Sequence, residues 1–371
     1  MADPAPLKRI IIERILTDGP MPVGDYMAMC LTHPQHGYYT TGTPVGGRAS
    51  AQRSGGDFIT APEVSQMFGE LIGVWCMEVW QALGSPDPFV LAEIGPGRGT
   101  LMKDLMRAGR AMPGFLNAAR IAMVEISPTL AEQQSLTLGK NAGQVTWVRS
   151  MEALPEGPVI AVGNELLDAL PFSQWVMSEG RWHERCVAVQ DDELIFVARP
   201  SAAQPTGLPE TSEQVDEGAI FETAPIREAF VHQLAERLTR ENGAALLVDY
   251  GHVRSDWGDT FQAVRDHAYV SPLTEPGLAD LTSHVDFEPL VAAARAENCV
   301  VPRPVTQGQF LLALGLLERA GALGSGREKH VQESLQQAVE RLAGPDQMGD
   351  LFKVMAFGAP ASLGERWPGF V

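Results

Sequence analysis

Four apolar runs in this chain lead directly into carboxylates. Val90-Leu91-Ala92 runs into Glu93, and Arg120-Ile121-Ala122-Met123-Val124 runs into Glu125. The run from Pro158 to Gly163 leads into Asn164-Glu165, with Asp168 three residues further on, and Ala244-Ala245-Leu246-Leu247-Val248 leads into Asp249. Short continuous apolar runs of this kind read as buried strands of an α/β sheet. Acids just past strand ends lie where such a sheet places its ligands. Between Glu93 and the next apolar pattern stands Gly95-Pro96-Gly97-Arg98-Gly99-Thr100. A side chain at those glycines would hold a ligand off the backbone or clash within a tight turn. Leu101 to Met112 then shows helical spacing, with Leu101, Leu105 and Ala108 on one side. The start of such a helix presents unpaired N–H groups.

Strand, glycine turn and helix open a nucleotide-binding unit, and the acids restrict which nucleotide it takes. A dinucleotide fingerprint needs G-x-G-x-x-G/A, but here the third glycine comes one residue early and Thr100 follows it. A phosphate-binding loop of the G-x-x-x-x-G-K-[ST] type needs a Lys-Ser or Lys-Thr pair, which is absent after these glycines. The Glu93 carboxylate would repel a pyrophosphate and suits a ligand bearing an ammonium or sulfonium group. S-adenosylmethionine carries both. Glu125, at the end of the next strand, is placed to take ribose hydroxyls. Glu93, Gly95, Gly97, Gly99 and Glu125 are therefore the candidate cofactor residues, and Pro96 within the turn and Asn164 at the end of the third run are counted with them. The plainer alternatives are an ordinary glycine turn and, at 164–171, a helical turn capped by Asn164.

The elements that must position these groups are legible in outline. Residues 1–87 read as an N-terminal helical region, with helices over Leu7 to Leu16 and Pro22 to Leu31. A Gly- and Ser-rich loop over 42–56 leaves room for a lid. Thr60, with Pro62 and Glu63 after it, reads as the capping box of a helix running to about Leu83. Residues 88–371 read as the core. Its strands are followed by helices such as the one opened by Ser127-Pro128, and insertions are expected at about 172–225, 254–290 and 306–343. Phe172-Met177, Trp182-Val189 and Leu194-Val197 read as a β meander. Ile226 to Arg240 reads as a helix, and Val300-Val305 with Asp350-Phe357 as a terminal strand pair. Residues 254–285 give no clear pattern. His284, within them, reads as a structural histidine or a base.

The 371 residues carry a net charge of −18, with 46 acidic and 28 basic side chains. That balance argues against nucleic acid and would attract a cationic protein or peptide. No apolar run reaches the roughly 18 residues of a membrane span. Cys30, Cys76, Cys186 and Cys299 are too scattered for a disulfide framework or a zinc site, and His33-x-x-His36 is broken by Pro34 and Gly37. No metal is expected. With no cleavable apolar segment at the N-terminus, the expected location is cytoplasmic.

A longer series of motifs is more specific. Gly56-Asp57-Phe58-x-Thr60-Ala61-Pro62-Glu63 is followed by Glu93-Ile94-Gly95-Pro96-Gly97-x-Gly99-Thr100-Leu101 and by Asn164-Glu165-Leu166-Leu167-Asp168-Ala169-Leu170-Pro171. Val248-Asp249-Tyr250-Gly251, Ser283-His284-Val285-Asp286-Phe287 and Gln307-Gly308-x-Phe310-Leu311 come after them in this order. The series resembles the MidA family, bacterial relatives of the mitochondrial complex I assembly methyltransferase, over about residues 22 to 357. One departure is Gly163, where the family pattern leads one to expect alanine.

The resemblance implies an α/β fold of the class I S-adenosylmethionine-dependent methyltransferases, with a Rossmann-like seven-stranded sheet. It implies S-adenosyl-L-methionine as methyl donor and methylation of protein arginine, with a core subunit of the respiratory NADH dehydrogenase as the target. A homodimer is compatible with it. Carboxylates must then hold a guanidinium that is protonated at neutral pH. Glu165 and Asp168, sharing a face if their turn is helical, are the candidate catalytic acids, with Asp249 as an alternative. The rival readings are a lysine or small-molecule methyltransferase of the same fold, and a non-catalytic assembly chaperone.

Overall fold

A computed structural model of the protein describes residues 6–40, 60–201, 203–209, 215–265, 267–359 and 367–370. The expected 42–56 lid and the Gly56-Asp57-Phe58-Ile59 part of the first motif lie outside the described residues. The chain divides into two compact units. One comprises the described residues of Met1–Phe58, Leu167–Ala229 and Arg254–Pro289, and the other those of Ile59–Leu166, Phe230–Val253 and Leu290–Val371.

The second unit holds the sheet that the apolar runs foretell. Its strands are β1 Phe89–Ile94, β2 Ala119–Val124, β3 Val145–Val148, β4 Val159–Asn164, β5 Ala244–His252, β6 Val305–Thr306 and β7 Phe352–Gly358. They lie in the order β3-β2-β1-β4-β5-β7-β6. The five strands β3, β2, β1, β4 and β5 are mutually parallel, whereas β7 runs antiparallel to both β5 and β6. This seven-strand path is the class I methyltransferase sheet. Every residue of β1 is buried, as a central parallel strand covered on both faces requires.

Two helices pack beside the start of the sheet: α1 Gln66–Ala82 and α2 Thr100–Gly109. Glycine allows their close crossing. A Cβ at Gly69 would come within 2.7 Å of the Asp104 Cβ, and one at Gly73 within 3.1 Å of the Ala108 Cβ. Their apolar faces join Phe89, Leu91, Phe115, Ile121 and the β4 and β5 side chains in one core. A third helix, α3 Pro128–Leu138, follows β2 and is capped by Ser127, whose hydroxyl accepts from the Leu130 N–H.

The capping box expected at Thr60 is absent. Residues Ala61–Val64 make only a short helical turn, and the Thr60 side chain accepts no cap hydrogen bond. Ser65 caps α1 instead, taking the Met67 N–H at 3.3 Å. Glu63 is used otherwise, as the acceptor of the Thr100 hydroxyl. The insertion expected at about 306–343 opens with two helices divided at a glycine. Gly315, at φ +92°, ends Gln307–Ala313 and opens Leu316–Gly324.

In the first unit the β meander is present. Ser173–Ser178, Arg181–Gln190 and Glu193–Pro200 pair antiparallel in succession, with Met21–Pro22 and Ile220–Thr223 added. The unreadable stretch 254–285 forms a small antiparallel sheet, with Gln262–Arg265 between Ala268–Val270 and Asp280–Thr282. The helix Pro6–Asp18 buries Leu7, Ile11 and Ile15 in this unit's core, together with Tyr26, Phe172, Val187 and Phe261.

Candidate cofactor site

The C-terminal ends of the parallel strands in the second unit are in step. Glu93 lies opposite Met123 on one side and Val162 on the other, and Ile94 lies opposite Val124 and Gly163. One residue further, Asn164 pairs with Val248. Just past the strands, the Glu125 N–H donates to the Val148 carbonyl and the Glu165 N–H to the Val248 carbonyl, both at 2.9 Å. Glu93, Glu125, Asn164, Glu165 and Asp249 thus stand along a single sheet edge, as parallel pairing of their strands requires.

The glycine turn sits on this edge. Gly95, Gly97 and Gly99 all have positive φ, at 66°, 50° and 78°. Their surroundings differ. A Cβ at Gly95 would meet the Leu166 side chain at 2.8 Å, and one at Gly99 would press on Gln134 at 3.3 Å. At Gly97 nothing lies within 4 Å, so that position faces open space that a side chain would fill.

Glu93 is 3% exposed. Burial raises its carboxyl to about 8, and the backbone N–H of Met102, in the first turn of α2, pulls the other way. Its Oε2 has no hydrogen-bond partner among the described residues, and neither does the buried Asn164 Oδ1. Two buried acceptors beside an open glycine fit a ligand that brings N–H donors or positive charge. Glu125 is held on both oxygens. Oε1 accepts from the Ser127 N–H at 2.8 Å, and Oε2 from the Gln134 amide at 2.9 Å. Burial raises its pKa, while those two donors lower it.

The segment after β4 is not the helical turn that its spacing suggests. It is a run of bends and turns. Glu165 takes a left-handed φ of 51°, uncommon for a residue with a side chain. Its Oε1 accepts from the Ala61 N–H at 3.3 Å and from the Asn164 amide at 3.0 Å. Asp249 is buried behind this turn, with Oδ2 accepting from the Leu166 N–H at 3.1 Å and Oδ1 from the Tyr250 N–H at 3.0 Å. That arrangement fixes where the chain goes after Glu165. Asp168 belongs to the other unit. There its carbonyl accepts from Arg227, and its carboxyl is near enough to Tyr39 to raise that phenol's pKa, an effect dominated by burial. The shared helical face expected for Glu165 and Asp168 therefore does not exist.

Sequence reasoning missed two residues. Gln134 faces inward from α3 and ties the glycine turn to Glu125. A polar residue four before the buried Leu138, on the core side of an amphipathic helix, was the available signal. In the first unit, the buried Arg227 donates to the carbonyls of Asp168, Leu170 and His284 and to the Ser283 hydroxyl. It joins two of the sequence motifs, and its position on a helix preceding a strand gave no hint of that. The backbone N–H of His284 donates to the Thr260 hydroxyl. Among the described residues no group of three or more His, Cys, Asp or Glu side chains is placed to hold a metal ion.

With this geometry in hand, the chain can be set beside known proteins. Residues 71–305 match the Methyltransf_28 family of S-adenosyl-L-methionine-dependent methyltransferases. The chain is 34% identical to the protein arginine methyltransferase NDUFAF7, mitochondrial, of Danio rerio, over 96% of this chain and 87% of that one. It is 33% identical to the Homo sapiens protein of the same name, over 95% and 83%. A COG1565 superfamily member from Burkholderia thailandensis, solved bound to S-adenosyl-homocysteine, is 29% identical with a TM-score of 0.83, covering 95% of this chain and 92% of that one.

Proposed function

This chain belongs to the Methyltransf_28 family of S-adenosyl-L-methionine-dependent methyltransferases, and on that footing we propose that it methylates arginine side chains of a protein, an NADH dehydrogenase subunit being the target. The arginine acceptor is supported by relatives named protein arginine methyltransferase, 33–34% identical over nearly the whole chain. The cytoplasm remains the proposed location. No helix among the described residues is long and apolar enough to cross a membrane.

One observation carries the cofactor half of this reading: Glu93, Asn164 and Glu125 flank an open glycine on one strand edge, two of them with buried acceptor atoms still to be satisfied. We assign Glu93 and Asn164 to the cationic end of the cofactor, Glu125 to its ribose hydroxyls, and Gly95, Pro96, Gly97 and Gly99 to the backbone cradle. When bound, the cofactor supplies a methyl group already made electrophilic by its sulfonium. What the protein's own residues must do is orient the acceptor, exclude water and manage charge. We assign Glu165 to hold the guanidinium fork through charge-assisted hydrogen bonds and to take the proton its nitrogen gives up. Asp249 supports Glu165 through the backbone it fixes.

Calorimetry with S-adenosylhomocysteine tests the cofactor assignment. The wild-type protein is expected to bind it and Gly97→Val to lose binding, because a branched side chain fills the open space. Equal binding by the two proteins, or binding of NAD in its place, contradicts the assignment.

A further inference from the structure

Gln134 is fully buried, and each polar atom of its side chain is committed. Oε1 accepts from the Trp147 indole N–H at 2.8 Å, and Nε2 donates to the Gly97 carbonyl and to Glu125 Oε2, both at 2.9 Å. An indole N–H only donates, while a carbonyl and a carboxylate accept. The amide therefore has one orientation that satisfies all three partners, and Trp147 on β3 sets it. A glutamate at this position has no hydrogen to give and would set a second charge against Glu125. An apolar residue would leave three partly buried groups without these partners, each a loss.

We propose that Gln134 is a positioning residue of the cofactor site: it aims the Glu125 carboxylate at the ribose hydroxyls and braces the glycine turn through the Gly97 carbonyl. The reasoning is geometric. Glu125 leaves β2 just before a turn, and a carboxylate there would otherwise be free to rotate. Ser127 holds one oxygen from the chain's own turn. Gln134 holds the other from about two helical turns further on, and the same nitrogen reaches the loop on which the cofactor would lie. Gly99 completes the arrangement, since a Cβ there would crowd the Gln134 backbone and side chain at 3.3 Å. One residue thus joins β2, β3, α3 and the glycine turn.

The inference rests on the assignment of Glu125 to the ribose, and the test separates the two. Dissociation constants are measured for S-adenosylhomocysteine and for its analogue lacking both ribose hydroxyls, with wild-type protein, Gln134→Met and Trp147→Phe. Wild type is expected to prefer the hydroxylated ligand by about tenfold or more, in line with hydrogen bonds to a charged acceptor. Gln134→Met should lose about tenfold for S-adenosylhomocysteine but at most about threefold for the analogue, so that the preference collapses. Trp147→Phe, which removes the group that orients the amide, should shrink the preference by about threefold. It carries the test if Gln134→Met does not fold. Equal losses for both ligands would mean a merely structural role, and an unchanged preference in either folded variant would also overturn the proposal. If the wild type shows no preference between the ligands, the ribose assignment itself fails.

Discussion

Glu165 is where a single side chain is held against its backbone preference. A left-handed φ costs a residue with a Cβ roughly 1–2 kcal/mol, and glycine is exempt. The side chain returns part of that by accepting two hydrogen bonds, from Ala61 and Asn164. Truncation should therefore reverse the usual order: Glu165→Gly should be more stable than Glu165→Ala by about 1 kcal/mol, which chemical denaturation measures. Both variants, and Glu165→Gln, should lose methyl transfer by about 10²-fold or more while keeping cofactor affinity. A Glu165→Gln variant with full turnover would remove this residue from the acceptor site.

Glu93 makes a second prediction at the same scale. Its carboxyl is raised from an ordinary 4.5 to about 8 by burial, so the folded protein binds a proton that the unfolded chain has released. The sign follows from linkage. Glu93 contributes most to stability below about pH 4.5, and that contribution is lost as pH rises toward about 8, by at most about 1.4 kcal/mol per pH unit. Glu93→Gln cannot titrate. Thermal unfolding from pH 5 to 8 should show the wild type losing stability relative to this variant; parallel curves would mean that Glu93 is ionised in the folded protein.

At the scale of elements, the crossing of α1 and α2 sets where the glycine turn ends, since α2 starts directly after Gly99. Gly69→Leu would drive a side chain into Asp104 and the Leu101 backbone, and overpacking of that kind costs about 1–3 kcal/mol. A lowered melting temperature checks it. The buried strands and the amphipathic helices were legible because burial on both faces and helical period leave direct marks in sequence. The turn after β4 was not. Spacing of three between acids fits a helical turn as well as an irregular one, and the deciding contact is Asp249 to the Leu166 N–H, 83 positions apart. The cap of α1 was misplaced for a related reason. Thr60-x-x-Glu63 satisfies the capping pattern, but Glu63 takes the Thr100 hydroxyl and Ser65 caps the long helix. The strands within 254–285 are four residues or fewer, too short to show alternation. Gln134 was overlooked because its partners come from three other segments.

For the molecule as a whole, the order of strands and the series of motifs support each other. The sheet path β3-β2-β1-β4-β5-β7-β6 brings the acids of four separate apolar runs to one edge, as their sequence positions alone suggested. A net charge of −18 favours a cationic acceptor over nucleic acid. The most direct measurement is fragmentation mass spectrometry of proteins labelled by the wild-type enzyme with isotopic S-adenosylmethionine, in a lysate of cells lacking it. The account predicts label on a guanidino nitrogen of an NADH dehydrogenase subunit, and none when Gly97→Val replaces the wild type. Label on lysine, on a carboxylate or on a small metabolite would contradict it.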